Sequence, residues 1–85
     1  MIKQPVTIQA EDGICARVTA KAVQVANEFK SQVFIEVGTK KINAKSIMGM
    51  MSLQLSTGDS LVVAAEGNDE EKAVEKMKDL LMLGE

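Results

Sequence analysis

The sequence contains no histidine, tryptophan or tyrosine, and its 85 residues include two phenylalanines, one proline and one cysteine. Without histidine, the chain cannot perform imidazole acid–base catalysis, bind a metal through imidazole or form phosphohistidine. A single cysteine excludes a disulfide within the chain and a cysteine-cluster metal site, and it agrees with a reducing compartment. Two aromatic side chains do not provide the base-stacking surface of single-strand RNA binders.

The sequence also lacks a strong charge of either sign and any long hydrophobic run. Its net charge is −2, and its lysines are dispersed among twelve acidic residues, so nucleic acid is not the expected partner. No apolar run approaches the roughly 20 residues that span a bilayer, and residues 1–5 lack the apolar section of a signal peptide. We therefore expect a cytoplasmic protein with no membrane partner and with no metal or cofactor of its own.

What is present is a composition of 46% hydrophobic and 26% charged residues, which is typical of a folded domain. We interpret residues 1–85 as one domain. Alternation over residues 2–10 predicts a half-buried first strand, and Pro5 places its beginning at a sheet edge or just outside the sheet. A turn follows at residues 11–13. Apolar residues at helical spacing then predict a helix from Ala16 to about Phe29. Its predicted apolar stripe comprises Ala22, Val25, Ala26 and Phe29, joined by Thr19 and Val23.

The second half of the chain has a similar alternation of elements. β-Branched residues predict a strand over 33–37, and Gly38-Thr39 turns it toward a third strand over Lys40–Asn43. A short helix after Ser46 and a buried strand over 61–65 come next. Asn68 and Glu71 form a capping pair for a last helix. The apolar stripe of that helix comprises Ala73, Val74, Met77, Leu80 and Leu81.

The order strand, helix, strand, strand, helix, strand, helix predicts an α+β fold. Amphipathic helices with one apolar face each are expected to pack on the same side of a four-stranded antiparallel sheet, as an open-faced β-sandwich.

Ser46 stands directly before a cluster of apolar residues and is predicted to be the N-cap of the short helix. An N-cap is often only structural, but its geometry also suits a phosphate, because the helix N-terminus favours added negative charge. The four apolar residues that follow are too many for one short helix to bury. Some of them should remain exposed as a recognition surface. They are Ile47, Met48, Met50 and Met51.

Several stretches resemble HPr, the phosphocarrier of the bacterial sugar phosphotransferase system. Gly13-Ile14-Cys15-Ala16-Arg17 is similar to the Gly-x-His-Ala-Arg-Pro signature of this family, and residues 43–53 (NAKSIMGMMSL) are similar to its regulatory-serine segment. Residues 65–71 (AEGNDEE) are similar to its entry into the last helix. Residues 31–36 (SQVFIE) resemble a stretch of the catabolite repression HPr of Gram-positive bacteria, which also lacks the histidine.

The resemblance implies a regulator without phosphocarrier activity. Family members carry a phosphoryl group on the histidine of the first signature, between Enzyme I and the sugar permeases, and Cys15 stands at that position here. Val18 and Thr19 also replace a usual proline and alanine. By resemblance, HPr kinase/phosphorylase phosphorylates Ser46, and the product acts as corepressor for catabolite control protein A.

The resemblance also assigns partner contacts to four residues. They are Arg17, Ile47, Met48 and Met51. From its residue type alone, Arg17 is as readily explained as a solvated residue of a helix start. The implied protein is a non-enzymatic regulator of carbon catabolite repression.

Two other classes of function stay open at this stage. Cys15 precedes a helix N-terminus near Arg17, which favours thiolate and permits redox chemistry or phosphoryl transfer from Enzyme I. No second cysteine and no evident base accompany it, so an inert thiol is the more economical interpretation. The other class is a generic binding module, in which Lys40, Lys41 and Lys45 bind an anion or simply form a solvated face. The sequence permits a monomer or a weak homodimer.

Overall fold

Seven elements follow in the predicted order in a computed structural model, which describes residues 1–9, 16–53 and 55–84. The elements are β1 (Ile2–Thr7), α1 (Ala16–Asn27), β2 (Gln32–Val37), β3 (Lys40–Asn43), α2 (Ile47–Met51), β4 (Ser60–Glu66) and α3 (Glu70–Leu83). The predicted turn at residues 11–13 lies outside the described residues.

The four strands form one antiparallel sheet in the order β1-β4-β2-β3, so β1 and β3 are its edges. Helix α3 packs on β1, β4 and β2, while α1 packs on α3 and α2. Val33 and Ile35 of β2 alternate with exposed or half-buried residues, and both are fully buried beneath the helices, as is Val63 of β4. The opposite face carries an ion pair between Lys3 and Glu36. The predicted open-faced α+β fold is confirmed.

The β2–β3 hairpin closes through the predicted two-residue turn. Val37 pairs with Lys40, and Gly38 between them has a φ of 59°. Thr39 has a negative φ, so only the first turn position requires a left-handed backbone. Glycine at that position is what a type II′ hairpin turn needs, because a side chain would clash with the backbone there.

The predicted ends of the first strand and first helix are wrong. Strand β1 ends at Thr7, because the Asp59 N–H opposite Ile8 donates to the Ser56 carbonyl, and the Ile8 carbonyl accepts from the Gly58 N–H instead. Ala10 lies outside the described residues. Helix α1 ends at Asn27, and the N–H of Phe29 donates to the Ala26 carbonyl in a tighter final turn. The ends of an element depend on its backbone hydrogen bonds, which the pattern of hydrophobic residues does not predict.

The apolar stripe of α1 is also displaced from the one predicted. Val18, Thr19, Ala22 and Ala26 are buried, while Val23 and Val25 are half-buried. The predicted stripe included Thr19, Ala22 and Ala26 but not Val18.

The predicted capping pair of the last helix is wrong as well. The N-cap of α3 is Asp69 instead of Asn68, and the Asp69 side chain makes no capping hydrogen bond. The predicted stripe of α3 is confirmed, since all five of its members are buried. In the part of the chain that the structure describes, no helix is both long enough and apolar enough to cross a bilayer.

Candidate functional site

Ser46 is the N-cap of α2, as the sequence predicts. Its backbone is extended, with φ −94° and ψ 115°, and its Oγ accepts a hydrogen bond of 3.3 Å from the Gly49 N–H. The Ser46 carbonyl accepts from the Met50 N–H at 3.0 Å, which is the first backbone bond of the helix. The Ser46 residue is exposed. Its hydroxyl therefore lies on the surface in the N-cap geometry, where a protein kinase can reach it.

Hydrogen bonds to β2 and to the loop after α1 anchor the segment before Ser46. Ala44 is fully buried, and its N–H donates to the Val33 carbonyl of β2 at 2.9 Å. The side-chain oxygen of Asn43 accepts from the Lys45 N–H at 2.9 Å, in a local turn. The Lys45 Nζ donates to the Phe29 carbonyl beyond α1 at 2.8 Å. These bonds fix the position of Ser46 from the sheet side and the helix side.

Helix α2 buries one of its four large apolar residues. Met50 is completely buried, whereas Ile47 is 55%, Met48 84% and Met51 54% exposed. The prediction that some of these side chains remain on the surface is confirmed. We call Ile47, Met48 and Met51 the α2 patch. All three follow Ser46 by no more than five residues. Exposed apolar side chains concentrated in this way are typical of protein-binding surfaces.

Gly49 lets α2 approach β3 closely. A Cβ at this position would lie 3.2 Å from the Ile42 Cγ2 atom and 3.5 Å from the Ser46 Oγ atom. Glycine costs about 1 kcal/mol relative to alanine inside a helix. The close contact with Ile42 is a structural reason for a glycine in the middle of so short a helix.

Arg17 is exposed in the first turn of α1. Together with Val18, Lys21 and Gly84 it lines a shallow hollow between the start of α1 and the end of α3. Helices α1 and α2 pack against each other, so Arg17 belongs to an element adjacent to the α2 patch. A joint role of Arg17 with that patch stays a prediction. Cys15 lies outside the described residues, and its predicted chemistry stays a prediction too.

A second hollow, of about 440 Å³, lies between α1 and α3. Val25, Phe29 and Leu80 line it together with charged residues that include Lys72 and Asp79. Ser46 does not line it. The exposed surface of α2 is therefore the better candidate for partner recognition, because it combines a modifiable hydroxyl with apolar side chains.

Asp69 has a structural role that the sequence analysis missed. Its carboxylate accepts from the backbone N–H of Lys30 at 3.0 Å, from the Ser31 N–H at 2.9 Å, and from the Ser31 hydroxyl. The Ser31 hydroxyl bond, followed by the Lys30 N–H bond, lowers the pKa of Asp69 from its ordinary 3.8 to about 2. The carboxylate thus ties the β4–α3 loop to the loop that follows α1. That loop includes Phe29, which binds Lys45.

Comparison with known proteins identifies the fold and its family. A family model described as "PTS HPr component phosphorylation site" matches residues 2–82. The chain belongs to the HPr family. It is 49% identical over 77 residues to the HPr-like protein Crh of Bacillus subtilis, with 91% of each chain covered.

Two solved structures of HPr-family proteins are similar to this chain. The crystal structure of HPr-C-His from Thermoanaerobacter tengcongensis has a TM-score of 0.89 and 44% identity, covering 100% of this chain and 98% of that one. A crystal structure of Crh from Bacillus subtilis, a domain-swapped dimer, has a TM-score of 0.74 and 47% identity, covering 95% and 93% of the two chains. The predicted resemblance to the HPr family, and within it to the catabolite repression HPr, is confirmed.

Proposed function

We propose that this HPr-family protein is a non-enzymatic regulator of carbon catabolite repression, phosphorylated on Ser46 by HPr kinase/phosphorylase. In its phosphorylated form it acts as corepressor for catabolite control protein A. The observation that carries this proposal is the exposed Ser46 hydroxyl, in N-cap geometry beside the α2 patch. The chain has no histidine, so the phosphohistidine chemistry of a phosphocarrier is not available to it.

The α2 surface suits a phosphorylation-dependent partner for electrostatic and apolar reasons. A phosphoserine adds about −1.5 to −2 charges and three strong acceptor oxygens, which an arginine of the repressor can bind in bidentate fashion. The patch residues Ile47, Met48 and Met51 then provide apolar contact, and methionine adapts to surfaces of different shape. Because Ala44 and Met50 anchor the turn in the core, the fold needs no rearrangement to present the phosphate.

The first test is phosphorylation of the purified chain by HPr kinase/phosphorylase and ATP, followed by intact mass measurement. We expect a mass increase of one phosphoryl group, absent in Ser46→Ala. Ser52→Ala is the matched control, because Ser52 is an exposed serine that caps the other end of α2. It should be phosphorylated like the unsubstituted chain. No added phosphoryl group, or one that persists in Ser46→Ala, would refute the proposal.

The second test is binding to catabolite control protein A by isothermal titration calorimetry. We expect the phosphorylated chain to bind and the unphosphorylated chain to show no measurable binding. Met48→Ala should weaken binding about tenfold, since Met48 is the most exposed apolar side chain of the patch. Glu75→Ala, an exposed change on α3, should leave the affinity unchanged. Equal binding with and without phosphate would contradict a corepressor role.

We further propose that the chain acts in the cytoplasm as a monomer in equilibrium with a weak homodimer. The structural support is that β1 is an edge strand whose only strand partner among the described residues is β4. An edge strand of this kind is the type of element that a domain-swapped dimer exchanges. Sedimentation velocity over a range of protein concentrations should show two species. A single sedimentation coefficient at all concentrations would exclude this exchange equilibrium.

A further inference from the structure

Lys45 directly precedes Ser46 in the sequence, but its ammonium group binds the loop that follows α1. Its Nζ donates to the Phe29 carbonyl at 2.8 Å, in a partly buried contact. Helix α1 has no basic residue in its last turn. The last carbonyls of a helix lack partners within the helix, and the negative end of the helix dipole favours a cation. Lys45 supplies a cation near this end from the segment before α2, at a carbonyl two residues beyond the last residue of α1.

The backbone of Lys45 is held as well as its side chain. The side-chain amide of Asn27, the last residue of α1, donates to the Val23 carbonyl at 2.8 Å and to the Lys45 carbonyl at 3.5 Å. The Lys45 N–H donates to the Asn43 side-chain oxygen. Residues at and just beyond the end of α1 therefore contact both the ammonium and the carbonyl of Lys45. Ser46, the N-cap of α2, is the next residue.

Short helices depend on such contacts for their conformation. A helix of five residues is far below the length at which helices are stable alone, so neighbouring elements must determine its position. We propose that Lys45 is a positioning residue for the phosphorylation of Ser46. Its ammonium ties the segment before α2 to the end of α1, and this keeps Ser46 in its N-cap conformation. This inference rests on the function proposed above.

The test compares Lys45→Met, which removes the ammonium from a side chain of similar length, with Lys45→Arg, which retains a cationic donor. Lys45→Met should lower kcat/KM for Ser46 phosphorylation by HPr kinase/phosphorylase about tenfold, as expected for a hydrogen bond to a charged group. Lys45→Arg should recover most of the lost rate. Equal rates for all three proteins would overturn the proposal.

Amide hydrogen exchange of the unphosphorylated chain separates positioning from direct recognition of Lys45 by the kinase. In Lys45→Met, the Gly49 and Met50 N–H groups, which bind Ser46, should exchange several-fold faster. The Leu81 N–H in α3 should keep its exchange rate. If kcat/KM falls while the Gly49 and Met50 rates stay unchanged, the kinase reads the lysine directly and the positioning role is wrong.

A destabilised control tests whether the effect is merely global. Val74→Ala removes a buried side chain from α3, which packs on the sheet and α1. It should keep the original kcat/KM at a temperature where the protein is folded, and an equal fall would refute a specific role of Lys45. Failure of the unsubstituted chain to be phosphorylated refutes the proposed function instead. The exchange measurement then still decides whether Lys45 orders the Ser46 turn.

Discussion

Replacement of Gly67 by alanine should be among the most destabilising single-methyl additions to this protein. Gly67 has a φ of 152°, and a Cβ there would lie 2.6 Å from the Ser31 Oγ atom and 2.7 Å from the Ser31 Cα atom. Ser31 is buried, and the Asp69 carboxylate holds both its N–H and its hydroxyl. Neither the Ser31 backbone nor its side chain can move away without breaking those bonds.

Two unfavourable terms and one favourable term set the magnitude. A non-glycine residue at this positive φ costs about 1–3 kcal/mol, and overpacking against Ser31 adds about 1–3 kcal/mol. Alanine returns about 0.4–1 kcal/mol by restricting the unfolded chain. The free energy of unfolding should therefore fall by about 1–6 kcal/mol. At about 4–8 °C per kcal/mol for a domain of this size, that corresponds to a decrease in Tm on the order of 5–40 °C.

Urea unfolding followed by far-ultraviolet circular dichroism measures this loss directly, since the chain has no tryptophan for fluorescence. Gly58→Ala is the matched control, because Gly58 has a φ of 95° but nothing within 4 Å of an added Cβ. It also places a side chain at a positive φ, but without the clash. Gly67→Ala should be the less stable variant by about 1 kcal/mol or more. Equal stabilities of the two variants would refute the argument that the contact with Ser31 requires a glycine.

Two further predictions concern α2 and the pH dependence of stability. Met50→Ala should lower the free energy of unfolding by about 2–5 kcal/mol, whereas Met48→Ala should change it by no more than about 0.5 kcal/mol in the same urea titration. Similar losses for both would contradict the observed division between a buried Met50 and an exposed Met48. Because the pKa of Asp69 is lowered from 3.8 to about 2, its ionised form stabilises the fold fully above about pH 4, and this contribution is lost as the pH falls through about 2. Urea midpoints measured from pH 5 to pH 2 should therefore fall less steeply for Asp69→Asn, and an unchanged slope would show that the Asp69 contacts with Lys30 and Ser31 do not contribute.

Local patterns in the sequence were sufficient for the order of the elements and for the N-cap of α2. Three signals act over only a few neighbouring residues and can therefore be read from the sequence. They are the alternation of apolar residues, the glycine of the hairpin turn and the apolar stripe of α3. The Ser46 cap is a local interaction as well, since its hydroxyl bonds an N–H only three residues away. The exposure of part of α2 followed from counting, because a short helix cannot bury four large side chains.

The sequence alone also determined what chemistry is unavailable. A chain without histidine forms no phosphohistidine in any fold. With one cysteine it forms no internal disulfide.

Tertiary structure decided the interactions that join residues distant in the chain. The Asp69 carboxylate bonds Ser31 across 38 residues, and the Lys45 ammonium bonds Phe29 across 16. The sequence pattern suggested Asn68 as a local cap, because a polar residue before a helix usually serves its own helix. Here the N-cap is the neighbouring Asp69, and its carboxylate accepts from the N–H groups of Lys30 and Ser31 instead of from its own helix. Only the folded sheet places that loop next to Asp69. A contact between distant residues also determines which apolar residue of α2 is buried. Ala44 is bonded to Val33 of β2, and this sets the direction in which α2 begins, so that Met50 points into the core.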